Sequence, residues 1–390
     1  MINQTYVELL EDKDIIFELF AYANKRRAEV GAENVYDFSL GNPSVAPPAK
    51  LHDALRELLD ECDPVSMHGY SPQGGLPGLR KVIAEDINKR FGTDFSPDSF
   101  FMTCSAASAL AHAFRAVTKP GDKILAFAPC FSEYKVYVQG VGCEFGVVPP
   151  DTETFEINFE AAERMMDEKV AAVIVNSPNN PSGVVYRPET VKKLAELLEA
   201  KSAEYGRPIY IISDEPYREI VFSGTEAPFI SNNYDNSIIC YSYSKSLSLP
   251  GERIGYIAVN PKAQDAEMLV KICTQISRHL GENGAPMIWQ RVLEKVLPCT
   301  ADLSVYEKNA KIFYDALTSY GYECAKPGGA FYMMPKMPGG NSDEFMKKAL
   351  ENDIIVVPGD GFGCPGYFRI AYCVPTERVE RSLENFKKLI

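Results

Sequence analysis

One lysine of this chain lies in a setting that suits covalent chemistry. Lys245 occupies a hydroxyl-rich loop between two apolar runs, residues 237–241 and residues 254–259. Apolar runs of this length, rich in β-branched and aromatic residues, predict buried strands. Three serines lie near Lys245, and Arg253 follows eight residues later. An amine beside small hydroxyl donors and an arginine suits a ligand that carries both a carbonyl group and a phosphate.

A lysine in a serine-rich loop is, on its own, most often a solvated surface residue. This loop, however, resembles the Ser-x-x-Lys and Gly-x-Arg-x-Gly signature of the class I and II pyridoxal-phosphate aminotransferases, which have fold type I. Four other stretches resemble the same family in the same order, and the resemblance covers about residues 38–373. It implies a transaminase that moves an amino group between an L-amino acid and a 2-oxo acid, with pyridoxal 5'-phosphate as its cofactor.

The resemblance gives Lys245 two roles. Its amine would form the aldimine that holds the cofactor, and an amine must be neutral to attack a carbonyl group. Burial beside other cationic groups favours that neutral form. Once the substrate has displaced it from the cofactor, the same amine would act as the general base at the substrate α-carbon.

Four residues would contact the cofactor ring. Asp214 follows a predicted strand, where an aspartate is more often only a helix cap or a turn residue. In the family, the matching aspartate keeps the ring nitrogen protonated, which makes the ring an electron sink. Tyr217 and Asn180 match residues that hydrogen-bond the ring's phenolic oxygen, and the asparagine also helps to hold the substrate carboxylate. Phe131 aligns with the aromatic residue that stacks on the ring, although the sequence is equally compatible with a core phenylalanine.

The cofactor phosphate would lie where a predicted strand gives way to a predicted helix near residue 105. The first backbone N–H groups of a helix lack partners within it, and with the helix dipole they favour an anion. The family usually has glycine where this chain has Ser105, so the sequence does not decide which backbone amides bind the phosphate. The candidate phosphate ligands are the amides of Ser105, Ala106 and Ala107, the hydroxyls of Ser242 and Ser244, and the guanidinium of Arg253.

A tyrosine in the segment 68–74 bears on the oligomeric state. Tyr70 resembles the tyrosine of a Tyr-x-x-x-x-Gly segment that, in the family, reaches the phosphate of the neighbouring subunit. The resemblance therefore implies an obligate homodimer with shared active sites. The alternative is a tyrosine in a surface turn.

An arginine lies inside a predicted strand near the C-terminus. Arg369 is flanked by apolar residues, so its charge needs a partner. In the family, the matching arginine binds the substrate α-carboxylate as a two-pronged fork. The backbone of Gly41, with Asn42 beside it, would close over the same group. The alternative is that Arg369 pairs with a carboxylate of its own domain.

The elements that must position these residues form an α/β pattern. Unbroken apolar runs without period-2 alternation predict a mostly parallel sheet covered on both faces. Ligands of such sheets bind beyond the carboxyl ends of the strands, which is where the candidate residues fall. The seven predicted strands are 99–103, 124–127, 145–148, 171–175, 209–213, 237–241 and 254–259.

The pattern changes near residue 290, where a smaller α+β domain is predicted. Its predicted strands are 330–334, 354–357 and 368–373, and the N-terminal segment, with a short strand within 34–43, is expected to pack with it. The division is a large cofactor-binding domain, 46–289, and a small domain, 1–45 plus 290–390. The predicted helices are 14–31 (Asp14 as N-cap and Gly31 as C-cap), 51–59, 75–91, 188–205, 287–296, 303–320 and 376–389.

Composition narrows the class of protein. The chain has 390 residues, 46% hydrophobic and 24% charged, which is typical of a globular enzyme. Its net charge of −13 argues against nucleic-acid partners and anionic membranes. Residues 1–14 lack signal-peptide features, and no apolar run is long enough to span a bilayer. The ten cysteines show no metal-binding pattern, which favours reduced thiols in a cytoplasmic protein without a metal.

Two other functions remain open from the sequence. Carbon–sulfur β-lyases and some decarboxylases share the same motifs, because the bond that breaks depends on side-chain pockets. A sensor of pyridoxal phosphate or of an amino acid is disfavoured, since such regulators carry an added DNA-binding domain and this chain has none in its sequence.

The sequence does not identify the substrate. No arginine that would bind the substrate side chain can be placed, although Arg278 and His279 could reach a neighbouring site.

Overall fold

The computed structural model describes residues 2, 4–9 and 15–390, and these form the predicted α/β fold. The helices among the described residues are α1 (Gln4–Leu9), α2 (Ile15–Val30), α3 (Ala49–Glu61), α4 (Pro64–His68), α5 (Pro77–Phe91), α6 (Ala106–Val117), α7 (Tyr134–Gln139), α8 (Phe159–Met165), α9 (Pro188–Tyr205), α10 (Tyr243–Ser246), α11 (Ala266–Leu280), α12 (Met287–Val296), α13 (Ser304–Tyr320), α14 (Ser342–Glu351) and α15 (Thr376–Lys387). The strands are β1 (Tyr36–Asp37), β2 (Phe100–Thr103), β3 (Lys123–Phe127), β4 (Glu144–Val148), β5 (Val170–Val175), β6 (Tyr210–Asp214), β7 (Ser237–Ser242), β8 (Gly255–Val259), β9 (Tyr332–Met333), β10 (Ile354–Ile355), β11 (Val357–Pro358) and β12 (Phe368–Ala371).

The seven predicted strands form one seven-stranded sheet in the order β2-β8-β7-β6-β5-β3-β4. All neighbouring pairs from β7 to β4 are parallel, whereas β8 is antiparallel to both β7 and β2. The last residues of β2 and β7, Thr103 and Ser242, therefore both lie opposite Gly255, the first residue of β8. This pairing brings two chain segments far apart in sequence to one edge of the sheet.

Helices cover both faces of the sheet, which explains the unbroken apolar character of its strands. On one face, α6 and α11 pack on Ile212, Ile238 and Ile257. On the other face, α8 and α9 pack on β3, β5 and β6, while α3, α5 and α12 pack on β2, β7 and β8. The predicted domain boundary at 289/290 falls inside α12, whose Val292 and Leu293 share a core with α3, and that boundary stays a prediction.

The C-terminal part of the chain forms two small sheets beside α13, α14 and α15. One sheet pairs β11, β12 and β9, and the other pairs β10 with β1 in parallel. The prediction of one strand over 354–357 is therefore wrong: β10 and β11 belong to different sheets. The apolar run is continuous because Ile354 to Val357 are all buried, so the change of pairing partner leaves no mark on the sequence.

The helix predicted between the caps Asp14 and Gly31 is found as α2. The described helix α2 begins at Ile15 and ends at Val30, and Gly31 follows with a φ of 91°, a left-handed conformation that favours glycine. Asp14, the predicted N-cap, lies outside the described residues. Within the part of the chain that the structure describes, no helix is both long enough and apolar enough to cross a membrane.

Candidate active site

A cavity of about 310 Å³ opens at the carboxyl edge of the large sheet. It collects residues from the ends of β2, β5, β6 and β7 and from β12 of the C-terminal part. The sequence-predicted residues that line it are Gly41, Ser105, Ala106, Ala107, Phe131, Asn180, Asp214, Tyr217, Ser242, Ser244, Lys245, Arg253 and Arg369. Asn42 and Tyr70 do not line it, and their roles, like those of the lining residues, stay predictions.

Lys245 lies on the short helix α10, directly after β7. Its Nζ donates a hydrogen bond to the carbonyl oxygen of Gly41 at 2.7 Å, so the amine is held at the cavity wall. Burial lowers the pKa of Lys245 to about 8; Arg369 and Arg253 act in the same direction, while Cys373 opposes them. A substantial fraction of neutral amine is therefore present near pH 8, as nucleophilic attack on a carbonyl group requires.

Asp214 is the last residue of β6 and is buried. Its Oδ2 accepts a hydrogen bond from the hydroxyl of Tyr134 at 2.5 Å, whereas its Oδ1 is buried with no hydrogen-bond partner among the described residues. Burial raises the pKa of Asp214 to about 7; the Tyr134 hydrogen bond opposes this rise and Glu215 adds to it. A buried carboxylate oxygen without a partner fits a cationic N–H group of a ligand.

Two residues that hydrogen-bond Asp214, one to its carboxylate and one to its backbone, were missed by sequence reasoning. Tyr134 begins α7, three residues after Phe131, and is fully buried. The side chain of Asn176 donates to the carbonyl oxygen of Asp214 at 2.8 Å and accepts from the amide of Asn180 at 2.7 Å. The only sequence signal was their place in the segments already singled out, 129–134 and 176–183.

The start of α6 presents backbone amides to the cavity. Ser105 is the N-cap of this helix, and its hydroxyl accepts a hydrogen bond from the amide of Ser108 at 3.2 Å. The amides of Ala106 and Ala107 belong to the first turn, where helix N–H groups have no partner within the helix. Arg253 is exposed at the mouth and donates to the carbonyl oxygen of Pro250 at 2.8 Å. This arrangement suits an anion.

Arg369 is buried, and no counter-ion for its charge lies among the described residues. Its Nη1 donates to Asn180 Oδ1 at 3.1 Å and its Nη2 donates to the carbonyl oxygen of Ser39. Its Nε has no hydrogen-bond partner, and among the described residues no carboxylate pairs with it. The predicted alternative, an ion pair within its own domain, is therefore not found among the described residues. A buried guanidinium with only neutral partners suits the carboxylate of a ligand.

Aromatic residues surround this guanidinium. The Arg369 Cζ atom lies 5.0 Å from the ring centre of Tyr332 and 4.9 Å from that of Phe362. The hydroxyl of Tyr332 lies 3.0 Å from the hydroxyl of Tyr217, a hydrogen bond in which either group can donate. Burial raises the pKa of Tyr217 well above 10, so its hydroxyl stays protonated. Tyr332 was another residue that the sequence did not reveal.

Three residues lie away from the cavity of their own chain. Tyr70 is 97% exposed. Arg278 is in the last turn of α11, where its Nη1 donates to the side chain of Gln275, and His279 follows it. Whether any of them serves the site of a neighbouring subunit stays a prediction.

Comparison with known proteins agrees with this geometry. The sequence model of the family described as aminotransferase class I and II matches residues 33–386. An aspartate aminotransferase of Thermotoga maritima is 28% identical over 362 residues, covering 92% of each chain, and a probable aspartate/prephenate aminotransferase of Thermus aquaticus is 28% identical over 364 residues, covering 90% of each. Among solved structures, an aminotransferase of Eubacterium rectale is 47% identical, with a TM-score of 0.97 over 100% of this chain and 98% of the other.

Proposed function

The chain belongs to the class I and II aminotransferases, and from this premise we propose that it binds pyridoxal 5'-phosphate through Lys245. The protein is an aminotransferase, which moves an amino group between an amino acid and a 2-oxo acid. The observation that carries the cofactor proposal is the buried Oδ1 of Asp214, which has no hydrogen-bond partner in the described residues and lines the same cavity as Lys245.

The residues of the cavity fit each part of this cofactor. Asp214 would pair with the ring nitrogen, Tyr217 and Asn180 would donate to the phenolic oxygen, and Phe131 would pack on the ring. The phosphate would lie at the start of α6, with Ser242, Ser244 and Arg253 as further ligands. When bound, pyridoxal phosphate supplies an electron sink for the electron pair left at the substrate α-carbon.

The protein's own groups then have defined tasks. Lys245 attacks as the neutral amine, which its lowered pKa supplies, and later moves the proton at the substrate α-carbon. Asp214 holds a proton on the ring nitrogen by supplying the negative charge opposite it. Arg369 and Asn180 bind the substrate carboxylate and thereby fix the orientation of the α-carbon relative to Lys245.

A donor screen tests the reaction and its substrate. The relatives named aspartate aminotransferases make L-aspartate the first amino donor to assay, with 2-oxoglutarate as the acceptor and glutamate formation as the readout. None of the relatives described above is named a lyase or a decarboxylase. Incubation with cystathionine checks this point directly, since a β-lyase would release pyruvate and a transaminase would not.

The titration of Asp214 gives a prediction for the protein without cofactor. The pKa of an unfolded aspartate is about 3.9, and burial raises that of Asp214 to about 7. The folded protein therefore holds the proton of Asp214 more tightly than the unfolded chain does. This difference contributes fully to the free energy of unfolding below pH 4. The contribution is lost as the pH rises to 7, which lowers the free energy of unfolding by at most about 4 kcal/mol. We therefore expect Asp214→Asn to raise Tm relative to the parent protein at pH 8 but not at pH 4.

Differential scanning calorimetry of both proteins from pH 4 to pH 8 measures this difference. Asp94→Asn is a matched control, because Asp94 is an exposed aspartate, and the difference in Tm between this variant and the parent should stay constant over the same pH range. A constant difference for Asp214→Asn as well would show that folding does not raise the pKa of this carboxylate, and the predicted loss of stability between pH 4 and pH 7 would be refuted.

The proposal includes a homodimer with shared sites, in which Tyr70 reaches the phosphate in the partner's cavity. The 97% exposure of this tyrosine on the single chain supports a contact outside that chain. Sedimentation should give twice the chain mass of 43.3 kDa. Tyr70→Phe should weaken pyridoxal phosphate binding roughly 10- to 100-fold, the usual value of a hydrogen bond to a charged group. Tyr22→Phe, on α2, is the control, and equal cofactor affinities of the two variants would contradict the shared site.

A cytoplasmic location also belongs to the proposal. All ten cysteines lie among the described residues, and each is a free thiol. Thiols in this number are typical of proteins that work in a reducing compartment.

A further inference from the structure

Tyr332 contacts both halves of the cavity. Its side chain is 2% exposed, its ring faces the guanidinium of Arg369, and its hydroxyl meets that of Tyr217. In the proposed function, Tyr217 serves the cofactor and Arg369 serves the substrate carboxylate. One side chain therefore links the two ligand-binding groups, although it has no assigned role of its own.

The position of the Tyr332 hydroxyl is fixed from a second side by Gly41. A Cβ atom at residue 41 would lie 1.9 Å from Tyr332 Oη, so only glycine leaves room for the hydroxyl there. The carbonyl oxygen of Gly41 also accepts the hydrogen bond of Lys245. The hydroxyl is thus confined between the backbone that holds Lys245 and the hydroxyl of Tyr217.

The protons of the two hydroxyls can be counted. A tyrosine hydroxyl donates one hydrogen bond and can accept others. Each hydroxyl of this pair has the other as its hydrogen-bond partner within the described residues. If Tyr217 donated to Tyr332, it would have only lone pairs to present to a ligand. If Tyr332 donates, the proton of Tyr217 is free, and an anionic ligand oxygen selects this second arrangement.

We infer that Tyr332 is a positioning residue, whose hydroxyl donates to Tyr217 and directs the Tyr217 proton to the phenolic oxygen of the cofactor. The inference rests on the proposed function. Donation from Tyr332 polarises the Tyr217 hydroxyl and makes it a stronger donor. The negative charge of the phenolic oxygen would then be better stabilised. That oxygen would hold the proton of the nitrogen between Lys245 and the cofactor less strongly, so the pKa of this nitrogen would be lower.

The pH dependence of the absorbance of the bound cofactor tests this relay. Tyr332→Phe removes the hydroxyl and keeps the ring over Arg369. The midpoint of the absorbance change should rise by about 0.5 to 1 pH unit, because this shift corresponds to the free energy of about one hydrogen bond. The other ionisable groups facing Lys245 or Tyr217 remain in place: Asp214, Arg253, Arg369 and Cys373.

A double-mutant cycle with Tyr217→Phe separates the relay from other effects. Tyr217→Phe alone should raise the midpoint at least as much, and adding Tyr332→Phe to it should raise the midpoint no further, because the relay is already broken. Tyr322→Phe is the matched control: this tyrosine is also buried, but its hydroxyl donates to the carbonyl oxygen of Phe386, and the midpoint should not move.

A second variant covers the possibility that the phenylalanine substitution disturbs folding. Tyr332→Leu also lacks the hydroxyl and should give the same midpoint. KM for the amino acid should rise only in this variant, because Arg369 loses one of its two aromatic neighbours and keeps Phe362. Two results would overturn the relay. One is an unchanged midpoint in both Tyr332 variants. The other is a shift by Tyr332→Phe that is equally large whether residue 217 is tyrosine or phenylalanine. If Tyr217→Phe itself left the midpoint unchanged, the assignment of Tyr217 in the proposed function would fail instead.

Discussion

Replacing Lys245 with alanine is expected to lower kcat by about 10⁴-fold or more, because the variant loses both the covalent attachment of the cofactor and the base that moves the α-proton. The hydrogen bond from Nζ to the carbonyl oxygen of Gly41 also disappears. Pyridoxal phosphate should still bind through the phosphate ligands, without its covalent link.

The stability of this variant separates a chemical role from a structural one. Burial lowers the pKa of Lys245 to about 8, so the unfolded chain binds its proton more tightly than the folded protein. Lys245 therefore lowers the free energy of unfolding. This destabilising contribution is fully present below pH 8 and fades as the pH rises toward about 10.4, the pKa of lysine in the unfolded chain. Without cofactor at pH 7, the Tm of Lys245→Ala should therefore be no lower than that of the parent.

Two measurements complete this test. Reduction of the loaded parent protein with borohydride and peptide mapping should place the cofactor on Lys245 and on no other lysine. Lys50→Ala is the control for activity, since the amine of Lys50 also contacts a backbone carbonyl oxygen, that of Val296, but lies outside the cavity. A reduced cofactor on a different lysine, or full turnover in Lys245→Ala, would refute the assignment.

Local patterns were sufficient to predict most of the elements. The helix predicted over 188–205 is found as α9 with the same ends, since Pro188 opens it and Gly206 ends it in a left-handed conformation. The strands of the large sheet were predictable because both faces are covered, which removes polar residues from them. The resemblance supplied the candidate site residues, and the sheet topology explains why many of them lie together, since the carboxyl ends of parallel strands meet at one edge of the sheet.

Contacts between distant segments could not be predicted in this way. The Tyr134–Asp214 hydrogen bond joins residues 80 apart in sequence, and the Tyr217–Tyr332 bond joins residues 115 apart. Tyr134 and Tyr332 lie in apolar surroundings, where a tyrosine is an ordinary core residue. Only the packing of α7 and β9 against the sheet edge gives their hydroxyls a partner, so their part in the site is a tertiary property.

The largest effect on substrate recognition is expected from Arg369→Ala. Removing one partner of a buried charged pair typically costs about 2–5 kcal/mol. Since each 1.36 kcal/mol corresponds to a factor of ten, kcat/KM for the amino acid should fall by about 30- to several-thousand-fold. Arg369→Lys should restore little, because a point charge cannot bind Asn180, Ser39 and a carboxylate with the geometry of a guanidinium fork.

Because no carboxylate pairs with Arg369 among the described residues, its removal should affect stability differently from the removal of a paired arginine. Arg218 is the matched control: its side chain is 9% exposed and lies beside the aromatic ring of Tyr241, but it pairs with Glu215 at 3.1 Å. Arg218→Ala leaves a buried carboxylate without its partner and should lower Tm. Arg369→Ala leaves no carboxylate behind, so its Tm without substrate should stay the same or rise, while pyridoxal phosphate affinity is retained. Calorimetry and amino-acid titration of the loaded enzyme, followed by absorbance, measure both quantities on each variant. A lowered Tm with undiminished amino-acid affinity in Arg369→Ala would mean that this arginine supports the fold and that another group binds the substrate carboxylate.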